Sequence, residues 1–332
     1  MSTTILSTRG LSMSYQDQHV LHHVDLIIRS GEVLGVIGRS GSGKTTLVRL
    51  LAGLLQPDSG QVLYEGEELE GPEDKLVPGH EEIRLVHQDF KLKHKMTVRE
   101  NIRYELLSYV DEYQQERIEA LMKLCNITHL QDTDIAYISG GEKQRVAIAR
   151  AMATEPAVVL MDEPFSNLDL MTKAELLSEI KQIASSTDTA IVLITHDTRD
   201  ALEVADRLAV LQAGKIVQMA PTHEIYQSPA SPYVAGLFGL YSELSSEELH
   251  QLSGTPPQTP ADKYGLWPED IYATTDSSGE AQVTTVAFLG AYHRLRIQWK
   301  NHTLWAYDPQ KNVQQGDTVR ISVNFQNAFP LS

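Results

Sequence analysis

The 332-residue chain predicts an α/β layered domain followed by a small all-β barrel. Two observations carry the first part of that prediction and one the second. Val33–Ile37, Val158–Met161 and Ala190–Ile194 are β-branched-rich runs of strand length, apolar throughout, and each passes at once into Gly or polar residues. Runs without polar alternation suit central strands covered on both faces, as in a parallel sheet flanked by helices. Between them, residues 97–127 read as helix-rich, opening at Thr97 with Glu100 at capping-box spacing. From about 241 the texture changes: Ser242–Ala261 is rich in Ser, Glu, Thr and Pro, which predicts a short helix and an extended linker. Beyond it, Ala281–Leu289, His293–Trp299, Thr303–Tyr307 and Thr318–Asn324 alternate like strands, with turns at Lys300-Asn301-His302 and Gln315-Gly316-Asp317. The expected division is an α/β domain over 1–240, a linker over 241–262 and a β-barrel over 263–332.

Composition limits the function. An apolar fraction of 42% builds a real core, and no window approaches the ~18 consecutive apolar residues of a membrane span. The formal charge is −16, and the acid excess is present both before and after residue 240. That balance argues against a nucleic-acid binder, which needs a basic stripe to displace counterions. The single cysteine, Cys125, cannot pair within the chain and fits a reducing compartment. Met1-Ser2-Thr3-Thr4-Ile5 lacks the basic-then-apolar pattern of a signal peptide. Secreted, integral-membrane and disordered chains are therefore not expected.

Three motifs carry chemistry. Gly38-Arg39-Ser40-Gly41-Ser42-Gly43-Lys44-Thr45 fits G-x-x-x-x-G-K-[ST], directly after Val33–Ile37 and before a helical stretch expected over Thr46–Leu55. Its glycines let backbone N–H groups wrap phosphates, Lys44 reaches the β/γ oxygens, and Thr45 coordinates magnesium. Nucleotide binding follows. Val158–Met161 ends in Asp162 and Glu163, carboxylates suited respectively to magnesium and to orienting an attacking water. Ala190–Ile194 leads into Thr195-His196-Asp197, and strand carboxyl ends form the ligand crevice of a doubly wound sheet, so His196 is expected to face the same nucleotide. Finally, Ile138-Ser139-Gly140-Gly141-Glu142 opens a helix expected to reach about Ala153, a second helix entry with exposed N–H donors.

Taken in order, these motifs closely resemble those of an ATP-binding cassette (ABC) transporter ATPase, over residues 1 to about 240. The resemblance implies a P-loop NTPase, a RecA-like core plus a helical subdomain, using ATP and Mg2+. It implies that Tyr15 stacks on adenine and that Gly38, Ser40, Gly41, Gly43, Lys44, Thr45 and Thr46 hold the phosphates. Magnesium falls to Thr45, Gln88 and Asp162, and catalysis to Glu163, His196 and Lys44. Ser139, Gly140 and Gly141 resemble the signature that grips the γ-phosphate of ATP held by a second subunit, and Asp169 in Ser166-Asn167-Leu168-Asp169 the loop lining the dimer interface. Three departures stand out. Ile-Ser-Gly-Gly-Glu replaces the commoner Leu-Ser-Gly-Gly-Gln, and Glu142 is tolerable because a helix start favours negative charge. His87 stands where many relatives carry Phe. Lys91-Leu92-Lys93-His94-Lys95 replaces a more apolar stretch where the family docks membrane subunits, either selecting that partner or simply forming a solvated charged loop.

Tyr264-Gly265-Leu266-Trp267-Pro268-Glu269-Asp270-Ile271 and the β-rich stretch after it resemble the accessory TOBE barrel of importer ATPases. About 70 residues suffice for one small barrel, either a dimerisation platform or a ligand sensor. The resemblance implies the ATPase subunit of an importer, peripheral on the cytoplasmic face of the inner membrane. It would work as a homodimer with integral-membrane permease subunits and, indirectly, an extracytoplasmic solute-binding protein, without nucleic acid. Polyamine, ferric ion and inorganic oxyanion stay equally open as solutes. An export ATPase, a non-transport soluble ABC protein and an oxyanion-binding module are the alternatives.

Overall fold

The computed structural model describes residues 3–331 except 17, 167 and 255–259, so part of the expected linker and Asn167 lie outside the described residues. The chain divides into two compact units, Met1–Thr222 and His223–Ser332.

In the first unit, a long hairpin of β1 (Thr4–Tyr15) and β2 (Gln18–Arg29) precedes β3 (Val33–Ile37) and α1 (Lys44–Leu51). Next come β4 (Ser59–Tyr64), β5 (Glu67–Glu68) and β6 (Ile83–Val86), then the helices α2 (Val98–Arg103), α3 (Asp111–Leu124) and α4 (Gly140–Ala151). The chain returns through β7 (Val158–Asp162), α5 (Leu170–Thr187), β8 (Ala190–Ile194) and α6 (Thr198–Val204) to β9 (Arg207–Gln212) and β10 (Lys215–Pro221).

The central sheet runs β10-β9-β3-β8-β7-β6, parallel except for the β9–β10 hairpin. All five residues of β3 and of β8 are buried, as strands covered on both faces require. A second, antiparallel sheet, β2-β1-β4-β5, alternates buried and exposed positions along β2. Leu26 and Ile28 of that sheet share one core with Leu47 and Leu51 of α1 and Leu160 and Val192 of the central sheet. Removing ~100 Å2 of apolar side chain from water stabilises by roughly 2.5 kcal/mol, so this shared core, with α1 in it, holds the phosphate loop at a fixed place.

Helices α2, α3 and α4 pack together as a separate helical layer. The capping box expected at Thr97 is present: its side chain accepts from Glu100 N, and the Glu100 carboxylate accepts from Thr97 N at 2.7 Å. Arg145 of α4 ties this layer to α5 by bonds to Glu175 (2.7 Å) and Glu179 (2.5 Å). Helix α1 starts at Lys44 and stops at Leu51, short of the expected Leu55, because Gly53 takes a left-handed φ of 66°.

The second unit includes α8 (Pro232–Phe238), where α7 (Thr222–Gln227) leads into it, then β11 (Ser242–Ser245) and α9 (Ser246–Ser253). Seven strands follow: β12 (Lys263–Leu266), β13 (Ile271–Thr275), β14 (Ala281–Phe288), β15 (His293–Trp299), β16 (His302–Asp308), β17 (Thr318–Val323) and β18 (Phe329–Leu331). They form an antiparallel sheet β13-β17-β14-β15-β16, with β13 also lying against β16, and a smaller sheet β11-β12-β18. Inward Leu295, Ile297 and Trp299 alternate with outward residues on β15, the pattern that announced these strands. The second compact unit thus takes in α8 as well as the strands. Within 241–262, α9 is the short helix expected there, while β11 pairs with β12, Leu244 and Leu249 are buried in the barrel core, and Glu248 closes a capping box on Ser245. The Ser/Glu-rich wording of that stretch reflects helix capping as much as solvation.

Candidate functional site

Four adjacent strands of the central sheet, β3, β8, β7 and β6, end on the same side because they are parallel. Their carboxyl ends deliver, side by side, the loop Gly38–Gly43, His196, Asp162 with Glu163, and the His87-Gln88 segment. Topology alone therefore gathers residues up to 158 positions apart, at the edge where open α/β sheets bind ligands.

The loop geometry is specified by its glycines. A methyl group at Gly38 would lie 2.2 Å from the carbonyl oxygen of Leu211, and Gly43, at φ 107°, would meet Leu21 and the carbonyl oxygen of Val20 within 2.9 Å. Lys44, mostly buried, donates to the carbonyls of Gly38 (2.8 Å) and Arg39 (3.2 Å), which folds its ammonium back over the loop. Burial pulls that ammonium below the usual lysine range, while the charges of Glu163 and Asp162 oppose the shift. The hydroxyl of Ser42 is buried without a hydrogen-bond partner among the described residues, and Ser40 and Gly41 are exposed.

Thr45 donates to Asp162 at 3.5 Å. Burial pushes the Asp162 carboxyl up, partly offset by that hydroxyl. Glu163 sits at φ 53°, a left-handed conformation costly for a side-chain-bearing residue, fixed by its N–H donating to Ile194 O at 2.9 Å. The turn brings Glu163 Oε2 to 2.6 Å from Nδ1 of His196. Gln88 donates to Ser166 Oγ at 3.4 Å, and that hydroxyl donates to the Glu163 carbonyl at 2.8 Å. Lys44, Thr45, Asp162, Glu163, His196, Gln88 and Ser166 thus form one constellation.

Other expected site residues lie apart from it in their contacts. Ser139 caps α4: its hydroxyl accepts from Glu142 N, and the Glu142 carboxylate accepts from Ser139 N at 2.7 Å. The bonds with Ser139 hold the Glu142 carboxyl below the usual range. A methyl at Gly140 would meet nothing within 4 Å, whereas one at Gly141 would strike Thr172 at 2.4 Å. Asp169 caps α5, accepting from Met171 N, Thr172 N and Thr172 Oγ1, so its carboxylate shapes the loop entry. Tyr15, half-exposed, pairs with Gln18 at the tip of the β1–β2 hairpin. Thr46 lies in the first turn of α1. Sequence reasoning placed Ser166 in the interface loop but not as the link from Gln88 to Glu163, and it missed Lys173, which binds Asp197 and Asp200 beside His196. Motif spacing gives no signal for Lys173, because the pairing depends on how α5 and α6 pack.

Fold and site define the class, a P-loop ATPase of the cassette type, and comparison with known proteins agrees. Residues 21–166 match the ABC transporter family model, and 264–331 match the TOBE domain model. A sulfate/thiosulfate import ATP-binding protein of Synechococcus elongatus is 36% identical over 84% of this chain and 81% of its own length. A spermidine/putrescine import ATP-binding protein of Clostridium acetobutylicum is 29% identical over 96% of this chain and 94% of its own. Among solved structures, cbiO1 from Clostridium perfringens, part of the ABC transporter complex cbiONQ, superposes with a TM-score of 0.62 at 28% identity, over 67% of this chain and 90% of that one. A dimeric ATP-binding cassette in a post-hydrolysis state, bound to ADP and Pi, gives 0.58 at 26% identity, over 66% and 99%. The chain belongs to the ABC transporter family. It is an ATP-binding, ATP-hydrolysing protein of the importer type, with a TOBE domain at its carboxyl end.

Proposed function

We propose that two copies of this chain close around two ATP molecules and drive solute uptake through integral-membrane permease subunits. The observation that carries this reading is the row of four strand ends, which sets a phosphate loop, an acidic pair, a histidine and Gln88 side by side. Gly38, Ser40, Gly41, Gly43, Lys44, Thr45 and Thr46 hold the phosphates, and Tyr15 on its hairpin offers a face for the adenine ring. A hydroxyl from Thr45, a carboxylate from Asp162 and the amide of Gln88 are hard oxygen donors that fit Mg2+. When bound, that ion neutralises charge on the β- and γ-phosphate oxygens.

Glu163 takes the proton of the attacking water, and His196 holds the carboxylate in place from Nδ1. Ser139, Gly140 and Gly141 present the open amino end of α4 to the γ-phosphate held by the other subunit, an approach left clear at Gly140. Asp169 shapes the neighbouring loop at the same interface. Closure of such a dimer does work because ATP binds the closed state better than the open one.

The permease contact falls on a cavity of about 540 Å3 in the first unit, lined by His80, His87, Phe90, Lys91, Glu105 and Arg150 among others. Leu76 and Val77 beside it are strongly exposed apolar residues in want of a cover. No helix among the described residues is long and apolar enough to cross a membrane, consistent with a peripheral subunit on the cytoplasmic face of the inner membrane. The functional division is a cassette through residue 240 and a regulatory β domain at the carboxyl end. That β domain favours import over export.

The solute is a polyamine, ferric ion or inorganic oxyanion; relatives named for spermidine/putrescine and sulfate/thiosulfate import support the first and the last. Uptake of labelled sulfate, spermidine and ferric ion by cells lacking the chain tests this. Loss of one, restored by the wild-type chain and not by Lys44→Ala, is expected; unchanged uptake of all three contradicts it.

A further inference from the structure

Glu163 and His196 stand on the ends of two different strands, and the structure joins the segments after them twice. One link is the direct contact at 2.6 Å. The other runs through Lys173, in the first turns of α5. Its ammonium lies 3.0 Å from Asp197 Oδ2 and 2.7 Å from Asp200 Oδ1, both on the α6 side. Lys173 and Asp200 are largely buried, with side-chain exposures of 18% and 6%. Lys173 thus ties α5, capped by Asp169, to Asp197, the neighbour in the chain of His196, which in turn meets Glu163.

Asp197 is the pivot of this tie. It caps α6 by accepting from Arg199 N at 3.0 Å, and its own N–H donates to Thr195 Oγ1 at 3.0 Å. His196 lies directly between Thr195 and Asp197 and is itself well exposed, at 68%. An exposed ring gains little orientation from packing. The two residues flanking it in the chain must supply it, and Lys173 anchors one of them to the helix that follows Glu163.

We propose that Lys173 is a positioning residue for ATP hydrolysis: by clamping Asp197 and Asp200 to α5 it holds His196 against Glu163. The inference rests on the proposed roles of Glu163 and His196. Lysine touches no nucleotide in this account, so its loss leaves binding intact and weakens turnover. It also makes α5, which Asp169 caps, the lever by which movement at the start of that helix reaches His196.

Steady-state ATP hydrolysis by the full-length chain tests this. Lys173→Met is expected to lower kcat about 10-fold with KM for ATP within about twofold, and Lys173→Arg to restore most of the rate. In a His196→Ala background, Lys173→Met should cost no more than about twofold further, because both changes remove one arrangement. Removing the ammonium strands the buried Asp200 carboxylate, so Lys173→Met is also made with Asp200→Asn. That pair should melt near wild type and still turn over slowly, since Asp197 stays unclamped. A Lys173→Met rate at wild-type level, a rise in KM matching the fall in kcat, a full 10-fold loss on top of His196→Ala, or recovery of kcat by Asp200→Asn each overturns the proposal. If Glu163→Gln turns over normally, the roles beneath it fail instead; with Glu163→Gln inactive and Lys173→Met normal, the positioning role alone fails.

Discussion

Nδ1 of His196 meets Oε2 of Glu163 at 2.6 Å, across two strand ends 33 residues apart in the chain. The contact exists because Glu163 adopts φ 53° and turns its side chain toward the end of β8. A neutral imidazole donating from Nδ1 leaves Nε2 as an acceptor, and the protonated ring donates from both nitrogens. Histidine therefore keeps the carboxylate oriented in either state. Holding a carboxylate at an unfavourable backbone angle costs on the order of 1–3 kcal/mol, a cost sustained only where the surroundings fix the geometry.

Replacing Lys44 by Ala removes the point charge that the loop folds over itself through Gly38 O and Arg39 O. Charge-assisted bonds to phosphate are about twice as strong as neutral ones, and alanine supplies none. Calorimetric titration of Lys44→Ala with ATP and magnesium is expected to give no tight binding. Affinity near that of the unsubstituted chain is the result that removes Gly38–Thr45 from the site.

Ser139→Arg places a bulky cation at the open amino end of α4, where a methyl at Gly140 meets nothing within 4 Å. ATP binding to one chain stays largely intact and hydrolysis stops, because the second subunit's phosphate is blocked. Titration and a phosphate-release assay read the two separately. Normal hydrolysis in this variant contradicts a site shared between subunits.

Glu142 links the signature to pH. Its folded carboxyl is held below the usual range by the bonds with Ser139, so the stability it contributes is present above the unfolded value of 4.5 and lost as pH falls through the folded value. Glutamine at this position keeps the bond to Ser139 N without titrating. Thermal melts from pH 6 to pH 3 should therefore show a shallower acid loss for Glu142→Gln than for the original chain. At pH 7 its ATPase rate should stay within about twofold, as a neutral cap satisfies the same donor.

Much of this site was legible because its signals are local. The phosphate loop, the Thr97–Glu100 cap, the runs that became β3, β7 and β8, and the alternation of β14 to β17 each depend on neighbours within a few residues. What depends on packing was not. Asp169 stands at an expected interface position, yet its side-chain bonds are spent on capping α5. The tie from Gln88 through Ser166 to Glu163 and the clamp of Lys173 on Asp197 join residues by fold alone. Likewise the second compact unit begins at His223 because Tyr226, Ala235 and Phe238 pack with Trp267 and Phe329, contacts between residues far apart in the chain.

Turnover at Glu163 with closure of two chains around ATP is the central claim, and Glu163→Gln tests it most directly. Glutamine keeps the size of the side chain and an acceptor oxygen near His196, so ATP and magnesium still bind. It takes no proton from water, and loss of a general base slows chemistry by ~10²–10⁴. Size-exclusion chromatography of Glu163→Gln with ATP and magnesium should show a shift from monomer to dimer that the unsubstituted chain mostly lacks. Adding Ser139→Arg should abolish that shift. A Glu163→Gln chain that hydrolyses ATP at the full rate, or one that is inactive yet stays monomeric with ATP bound, contradicts the account.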